Sequence, residues 1–220
     1  MAIKSSRPKE PLIKEAELRP FSFGLEHGFA NSLIKDQPRK ETSITEGILD
    51  SVIFEDIDFA TISFKESDLT NVVFRRCTFL NYEFPKRYYG RLKFESCNML
   101  GARFIGATLE DAIFYNCNLS LANFSEATFK KVLFSECKMS ESYFAETMMP
   151  HVFFEHCSLE QTEFFKVSLK GVDFRTDSIE GLHCDVTSLP GLTVTPYQAL
   201  SFVPLLGLIV KEEGETDDKS

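Results

Sequence analysis

The sequence predicts an all-β solenoid of square cross-section, and three spacings predict it. Every tenth residue from Phe54 to Phe174 is phenylalanine. Midway between them stands another large apolar side chain each time, beginning Phe59, Leu69, Phe79, Tyr89, Met99 and Leu109 and ending at Ile179. The unit is therefore five residues long, a period that fits neither an amphipathic helix at 3.6 nor an alternating strand at 2. Cysteines recur at 77, 97, 117, 137 and 157, so one column returns every twenty residues. Four five-residue units per turn make a square, whereas a triangular coil would return every fifteen. Self-similarity at a fixed period decides the architecture before local propensity is consulted.

Two positions before most of the large residues lies a small or β-branched one, as at Val52, Ile57, Ile62, Val72, Ala102, Ala107, Ala112 and Ala122, and the cysteines belong to this inner column. The tenfold spacing of Phe puts the phenylalanine ladders on two opposite sides, with Leu and Met filling the other two. Stretches such as Ala122-Asn123-Phe124-Ser125 and Ala107-Thr108-Leu109-Glu110-Asp111 carry the pattern. Over roughly residues 49–194 it resembles the pentapeptide-repeat family. That resemblance implies a right-handed quadrilateral β-helix.

Residues 1–46 are expected to form an N-terminal extension and cap. Residues 1–20, polar and carrying Pro8, Pro11 and Pro20, are expected to be mobile. Phe21, Phe23, Leu25, Phe29, Leu33 and Ile34 supply apolar surface to hide the open end that a solenoid otherwise exposes. Ile34 and Ile44 fall in the later register, so partial coils are expected before Leu49. Residues 47–194 form the β-helix. One unit breaks type, because Arg87 occupies a small inner position ahead of Tyr89. An arginine aimed into the core is costly without a partner. The expectation is an outward bulge carrying Lys86, Arg87, Arg91 and Lys93, either a tolerated distortion or a contact surface.

Residues 195–210 read as a helix followed by a strand, and 211–220 as a disordered acidic tail. Thr195 suits the N-cap, Pro196 the first turn, and Leu200, Val203 and Phe202 an apolar side. Pro204 disfavours helical geometry at Val203, which ends or kinks the helix there and leaves Leu205 to Val210 as an apolar strand. The run from Gly191 through Thr195-Pro196-Tyr197-Gln198 to Leu200, with Leu206 to Val210 after it, is similar to the C-terminus of the Qnr branch of the same family. The resemblance implies a topoisomerase-protecting protein whose C-terminal helix and strand join two rods end to end. Its dimer-interface residues are Val194, Pro196, Tyr197, Leu200, Val203, Leu206, Leu208 and Val210. Pro204, the uninterrupted repeats and the long N-terminal segment depart from that branch.

Net charge is −9, unevenly spread. Residues 48–105 balance eight acidic against eight basic groups, whereas 110–180 carry twelve against six. Such a surface repels nucleic acid and phospholipid and attracts a basic partner. No apolar run approaches the ~20 residues that cross a bilayer, and the first residues lack the apolar core of a signal peptide, so a cytoplasmic location is expected. There six cysteines read as small buried hydrophobes and not as a disulfide scheme.

The pattern offers no catalytic constellation. His151 and His156 fall at outward places while Cys157 points inward, so they do not converge on a metal. The glycines form no phosphate-cradling loop. The sequence is therefore read as a non-enzyme without cofactor. What an acidic rod can do is imitate duplex DNA before a cationic saddle. The leading expectation is a homodimer that binds DNA gyrase and/or topoisomerase IV and lessens quinolone action, without itself binding nucleic acid or membrane. Candidate contacts are the exposed acids of the later coils, Glu126, Glu136, Glu141, Glu146, Glu155 and Glu160. The competing expectation is a rigid interaction scaffold with a different protein partner, since this fold by itself assigns no function.

Overall fold

Each five-residue unit buries its first and third side chains, turns the second and fourth outward, and must bend at the fifth. The bend is made in the left-handed region, with φ of 53° at Asn71, 51° at Asn81 and Asn116, 54° at Asp111, and 68° and 65° at Gly101 and Gly106. Asn, Asp and Gly tolerate that conformation best. The repeat continues with other residues at the bend because the inner rows over-determine it.

The computed structural model describes residues 7–20, 30–38, 40–44, 47–64 and 67–209. They wind into a right-handed quadrilateral β-helix. From Ser32 onward strand pairing is parallel with a register of twenty: Ser32 pairs with Val52, Val52 with Val72, Val72 with Leu92, Ala112 with Val132, and Val132 with Val152. Strands Gly47–Glu55, Ser67–Arg75, Tyr88–Glu95, Thr108–Tyr115 and Thr128–Ser135 each run around one corner and cover two sides of the square. The other two sides are held by two-residue pairings such as Ile62–Ser63 on Thr42–Ser43, and by single bridges such as Thr78 to Asn98 and Arg103 to Asn123. Ile34 and Ile44 are buried in register, so the coils begin before Leu49.

The interior is a stack of rings. Phe74, Phe94, Phe114 and Phe134 lie parallel at centroid distances of 4.9, 4.9 and 4.8 Å. Phe84, Phe104, Phe124 and Phe144 do the same on the opposite side at 4.1, 5.2 and 5.0 Å. The two ladders meet edge to face across the axis, as at Phe94 and Phe104 (6.2 Å, 84°), a geometry that aromatic quadrupoles favour. All six cysteines are free and buried. Their thiols are more than filler: Cys97, Cys117, Cys137 and Cys157 each donate to the carbonyl of the phenylalanine twenty-three residues earlier, at 3.3–3.4 Å. Hydroxyls take the same place at Ser67, Thr147 and Thr162.

The irregular unit keeps the coil. Tyr89 stays inward, 1% exposed, and its hydroxyl donates to the Pro85 carbonyl at 2.8 Å. Arg87 turns outward to Asp68 at 3.6 Å while its own carbonyl accepts from Thr108 N–H. Lys86 reaches Glu126, Arg91 lies 3.5 Å from Asn71 Oδ1, and Lys93 pairs with Glu10. The four cations are thus spent on separate intramolecular contacts. Tyr82, too large for its inner position, swings aside; its hydroxyl accepts the Phe64 N–H at 3.1 Å where the ladder would otherwise supply a carbonyl.

Two expectations are corrected. Residues 7–20 lie along the rod, tied to it by hydrogen bonds and ion pairs as distant in sequence as Arg7 and Glu155. Leu205 and Leu206 are not strand: a 3-10 helix runs Leu200–Leu206. Pro204 lacks the N–H that a longer α-helix needs, but its φ suits a 3-10 turn. The chain is then released by Gly207 at φ 72°. Phe21, Phe23, Leu25 and Phe29 of the expected cap, Val210 and the acidic tail lie outside the described residues.

Phe124 is wholly buried between Phe104 and Phe144. Phe124→Ala is expected to cost ~3–5 kcal/mol in chemical denaturation, and a loss below ~1 kcal/mol would contradict its place in the ladder.

Candidate partner-binding surface

The six candidate acids do not share a face. Glu126, Glu136, Glu141 and Glu146 sit at corners, with φ of 60°, 55°, 57° and 58°. Glu126 and Glu146 occupy one edge, and Glu136 and Glu141 two others. Glu155 lies on the side of Phe54 and Phe154, and Glu160 on the side of Phe59 and Leu159. Corner positions project furthest from the axis, and those four are exposed. Several acids already have partners. Lys166 Nζ is 2.7 Å from Glu146, Lys86 Nζ 4.0 Å from Glu126, and Arg7 holds both oxygens of Glu155. Glu160 is half-buried; burial raises its pKa, but hydroxyl donation from Ser158, Ser178 and Ser140 outweighs this and holds the carboxyl below its ordinary value. Among the described residues, Glu136 and Glu141 have no ion-pair partner.

The C-terminal end is built differently. Thr195 caps the short helix Pro196–Ala199 in a capping box: its hydroxyl accepts from Gln198 N–H (3.2 Å) and the Gln198 side chain accepts from Thr195 N–H (2.8 Å). The Gln198 amide also donates to the carbonyls of Phe174 (2.8 Å) and Asp177 (2.9 Å), which pins the helix to the last coil. Phe202 plugs the open end of the core and Val194 packs beside it. Of the resemblance-derived interface residues, Tyr197, Leu200, Leu206 and Leu208 are exposed at 84%, 52%, 62% and 58%. Pro196 is exposed too, and Val203 is half-buried. Leu205 and Ile209 extend the same apolar surface. These side chains give the rod an apolar end, while its sides also expose single apolar residues such as Leu80, Leu121 and Met148.

Asp177 escaped the sequence reading. It stands twenty residues after Cys157, the sixth place of the cysteine column, and this spacing was the signal available. The residue is 7% exposed. Oδ1 accepts from Cys157 N–H at 2.7 Å, while Oδ2 has no hydrogen-bond partner. Burial pushes its carboxyl up to about 6, against the lowering effect of the Cys157 N–H.

Among the described residues no group of three or more His, Cys, Asp and Glu could hold a metal ion, and no helix is long and apolar enough to cross a membrane. An open cleft of about 760 Å³, lined by Phe59, Phe64, Leu80, Tyr82 and Glu83 among others, brings carboxylates and hydroxyls together with no His or Cys beside them.

Residues 107–184 match the family model described as the pentapeptide repeat region. No curated protein matches. Among solved structures, the chain is similar to QnrB1, described as a plasmid-mediated fluoroquinolone resistance protein, at 20% identity and a TM-score of 0.46, covering 84% of this chain and 92% of that one. It is also similar to HetL, a pentapeptide repeat protein involved in heterocyst differentiation regulation from the cyanobacterium Nostoc sp. strain PCC 7120. There identity is 7% and the TM-score 0.29, over 76% and 86% of the two chains. A third, Rfr23 from the cyanobacterium Cyanothece 51142, is 13% identical with a TM-score of 0.21, over 73% and 91%.

The raised pKa of Asp177 gives a signed prediction. Its proton is held more tightly folded than unfolded, so this group's contribution is fully present below the unfolded value of ~3.9 and is lost as pH rises to about 6. Asp177→Asn keeps an oxygen for Cys157 N–H and removes the titration. The Tm of the variant minus that of the parent is expected to grow from pH 4 to 6 and to level off above 7. A difference that is flat across this range contradicts the assignment.

Proposed function

We propose, for a chain whose residues 107–184 are pentapeptide repeats, that two copies joined at their C-termini form a Qnr-like rod. In this reading the rod mimics DNA, binds DNA gyrase or topoisomerase IV in the cytoplasm, and protects the enzyme from quinolone antibiotics without catalysis. The observation that carries it is a prism locked at twenty residues per turn whose acidic excess sits in the later coils, beside an apolar end. Seven coils at ~4.8 Å rise to ~34 Å, the length of about 10 base pairs, and end-to-end joining doubles it. Joining at the C-terminus brings both acidic halves to the centre of the dimer.

Charge density bounds the mimicry. Twelve acidic and six basic groups over residues 110–180 leave a net of six charges over ~17 Å, where a duplex has about ten. The imitation is partial and rests on surface charge, so it weakens with salt. The ion pairs at Glu126, Glu146 and Glu155 do not block it: exposed pairs are worth ~0–1 kcal/mol, and an incoming cation can replace the resident one. The scaffold reading retains one supporting observation, the scatter of the six acids over three corners and two sides, which marks no single contact face.

A supercoiling assay with gyrase and a fluoroquinolone, with and without the purified protein, tests the reading. Rescue that fades as salt rises is expected, together with reduced rescue by a Leu200→Asp, Leu206→Asp variant that runs as a monomer. Absence of rescue at any protein concentration, with no binding at low salt, leaves the scaffold. A double variant with the mass of two chains rejects the proposed interface.

A further inference from the structure

Three residues on the outside of the prism are buried as deeply as its core without belonging to it: Ile53 (1% exposed), Val73 (5%) and Ile113 (6%). They stand one position before Phe54, Phe74 and Phe114, in an outward row that also holds Lys93, Leu133 and Phe153. The N-terminal segment crosses this row. Arg19–Pro20 pairs with Ser32–Leu33 at the first coil. Glu15 then meets Arg75 (2.5 Å), Leu12 N–H donates to Asn71 Oδ1 (3.3 Å), Glu10 meets Lys93 (3.3 Å), and Lys9 N–H donates to Asp111 Oδ1 (3.2 Å). Arg7 ends the path on Glu155. Asn71 and Asp111 lie at the corner on one edge of this side, and Arg75 and Glu155 lie beyond its phenylalanines. The strap therefore lies over Val73, Lys93 and Ile113 between them. Its half-buried side chains are Pro8, Pro11, Ile13 and Leu18.

The spacing of the contacts is informative. Asn71 and Asp111 are two coils apart, ~9.6 Å. Their donors, Leu12 and Lys9, are three residues apart, and an extended or polyproline-type chain advances ~9–10 Å in three residues. Pro8 and Pro11 have the same separation, one turn of such a chain, and each fixes φ and holds the residue before it extended. Asn71 and Asp111 are themselves 8% and 6% exposed. The corner thus presents two shielded acceptors at the pitch of an extended backbone, beside a row that is apolar except for Lys93 and along which Pro8, Pro11 and Ile13 are half-buried. The remaining attachments are ion pairs whose partners on the strap are 60–63% exposed, and such pairs are individually weak.

We propose that this groove is the docking surface for an extended, proline-containing segment of the partner, and that the strap from Arg7 to Leu18, whose Glu15–Glu17 form a 3-10 turn after the proline-containing stretch, is its resident occupant. The incoming segment places a cation at Glu155, carboxylates at Lys93 and Arg75, and two main-chain N–H groups at Asn71 and Asp111, displacing the strap as it does so. The inference deepens the function proposed above by giving its partner a contact surface, yet the groove can be tested without any topoisomerase.

The probe is a fluorescently labelled peptide with the sequence of residues 6–18, titrated into the full-length chain. In a second full-length chain, Arg7→Glu, Pro8→Gly and Pro11→Gly loosen the resident strap. The peptide is expected to bind the loosened chain at least tenfold more tightly than the parent, and Asn71→Ala with Asp111→Ala is expected to remove the gain. Equal binding to both chains, or binding indifferent to the Asn71 and Asp111 substitutions, overturns the proposal. Hydrogen exchange on the parent needs no variant: the Lys9 and Leu12 amides should exchange more slowly than in the free peptide, and peptide-like rates overturn the resident strap. Gyrase rescue by the same chains keeps the two readings apart. Peptide binding without rescue supports the groove and sinks the topoisomerase reading, whereas rescue without peptide binding does the reverse.

Discussion

Among the described residues, the inward side chains above the first coil rest on those twenty residues before them, and that vertical contact governs the rest of the structure. A ring in the Phe124 ladder touches Phe104 below and Phe144 above at about the coil spacing, so the stack stays in van der Waals contact only while each coil closes on the same residue count. A solenoid has no other long-range order; stability is a sum of units and nearest-neighbour contacts. An error of one residue would carry every following inner side chain to an outer position. This explains how the irregular units are absorbed. Arg87 and Tyr82 are too large or too polar for the inner column, and in both cases the side chain moves while the backbone keeps its place between the phenylalanine stacks.

The same constraint decides what could be read beforehand. The ladders, the square section, the inner column and the early coils at Ile34 and Ile44 follow from spacing, because stacking converts sequence separation directly into height. The cysteine column was visible as a spacing, and Asp177 shared it, yet the burial of a carboxylate with one unpartnered oxygen is a matter of packing that spacing does not encode. Outward positions obey no such rule. Ile53, Val73 and Ile113 are apolar where the period demands nothing, but so are Leu80, Leu121 and Met148, which stay exposed, so an outward apolar residue by itself does not mark the strap. Its contacts span separations such as 148 and 102 residues, beyond anything periodicity encodes. The strand expected after Pro204 failed for a local reason: Leu200–Leu206 continues as a tighter helix that the proline accommodates.

The two surfaces of interest arise where the stack leaves the chain unconstrained. At the C-terminal end, Phe202 covers the last rings and its neighbours turn their apolar side chains outward. Along the side of Phe54, the outer row is clothed by the chain's own N-terminus. The corners, forced outward by the left-handed bend, carry four of the six acids considered for partner contact. A rigid interior with an unconstrained exterior makes this fold a carrier of surfaces, and the function proposed here lives in those surfaces and not in the prism itself.

The central claim is that twenty residues, and no other number, close a coil. Removing a whole coil tests it most directly. Deleting residues 115–134 joins Phe114 to Ser135 with every ladder in register, whereas deleting 120–134 removes fifteen residues and shifts each later side chain to the wrong side of the square. The account predicts that the first chain keeps its β-rich circular dichroism and a cooperative melt, and that the second does not fold. A fifteen-residue deletion as stable as the twenty-residue one, or a twenty-residue deletion that unfolds, would contradict it.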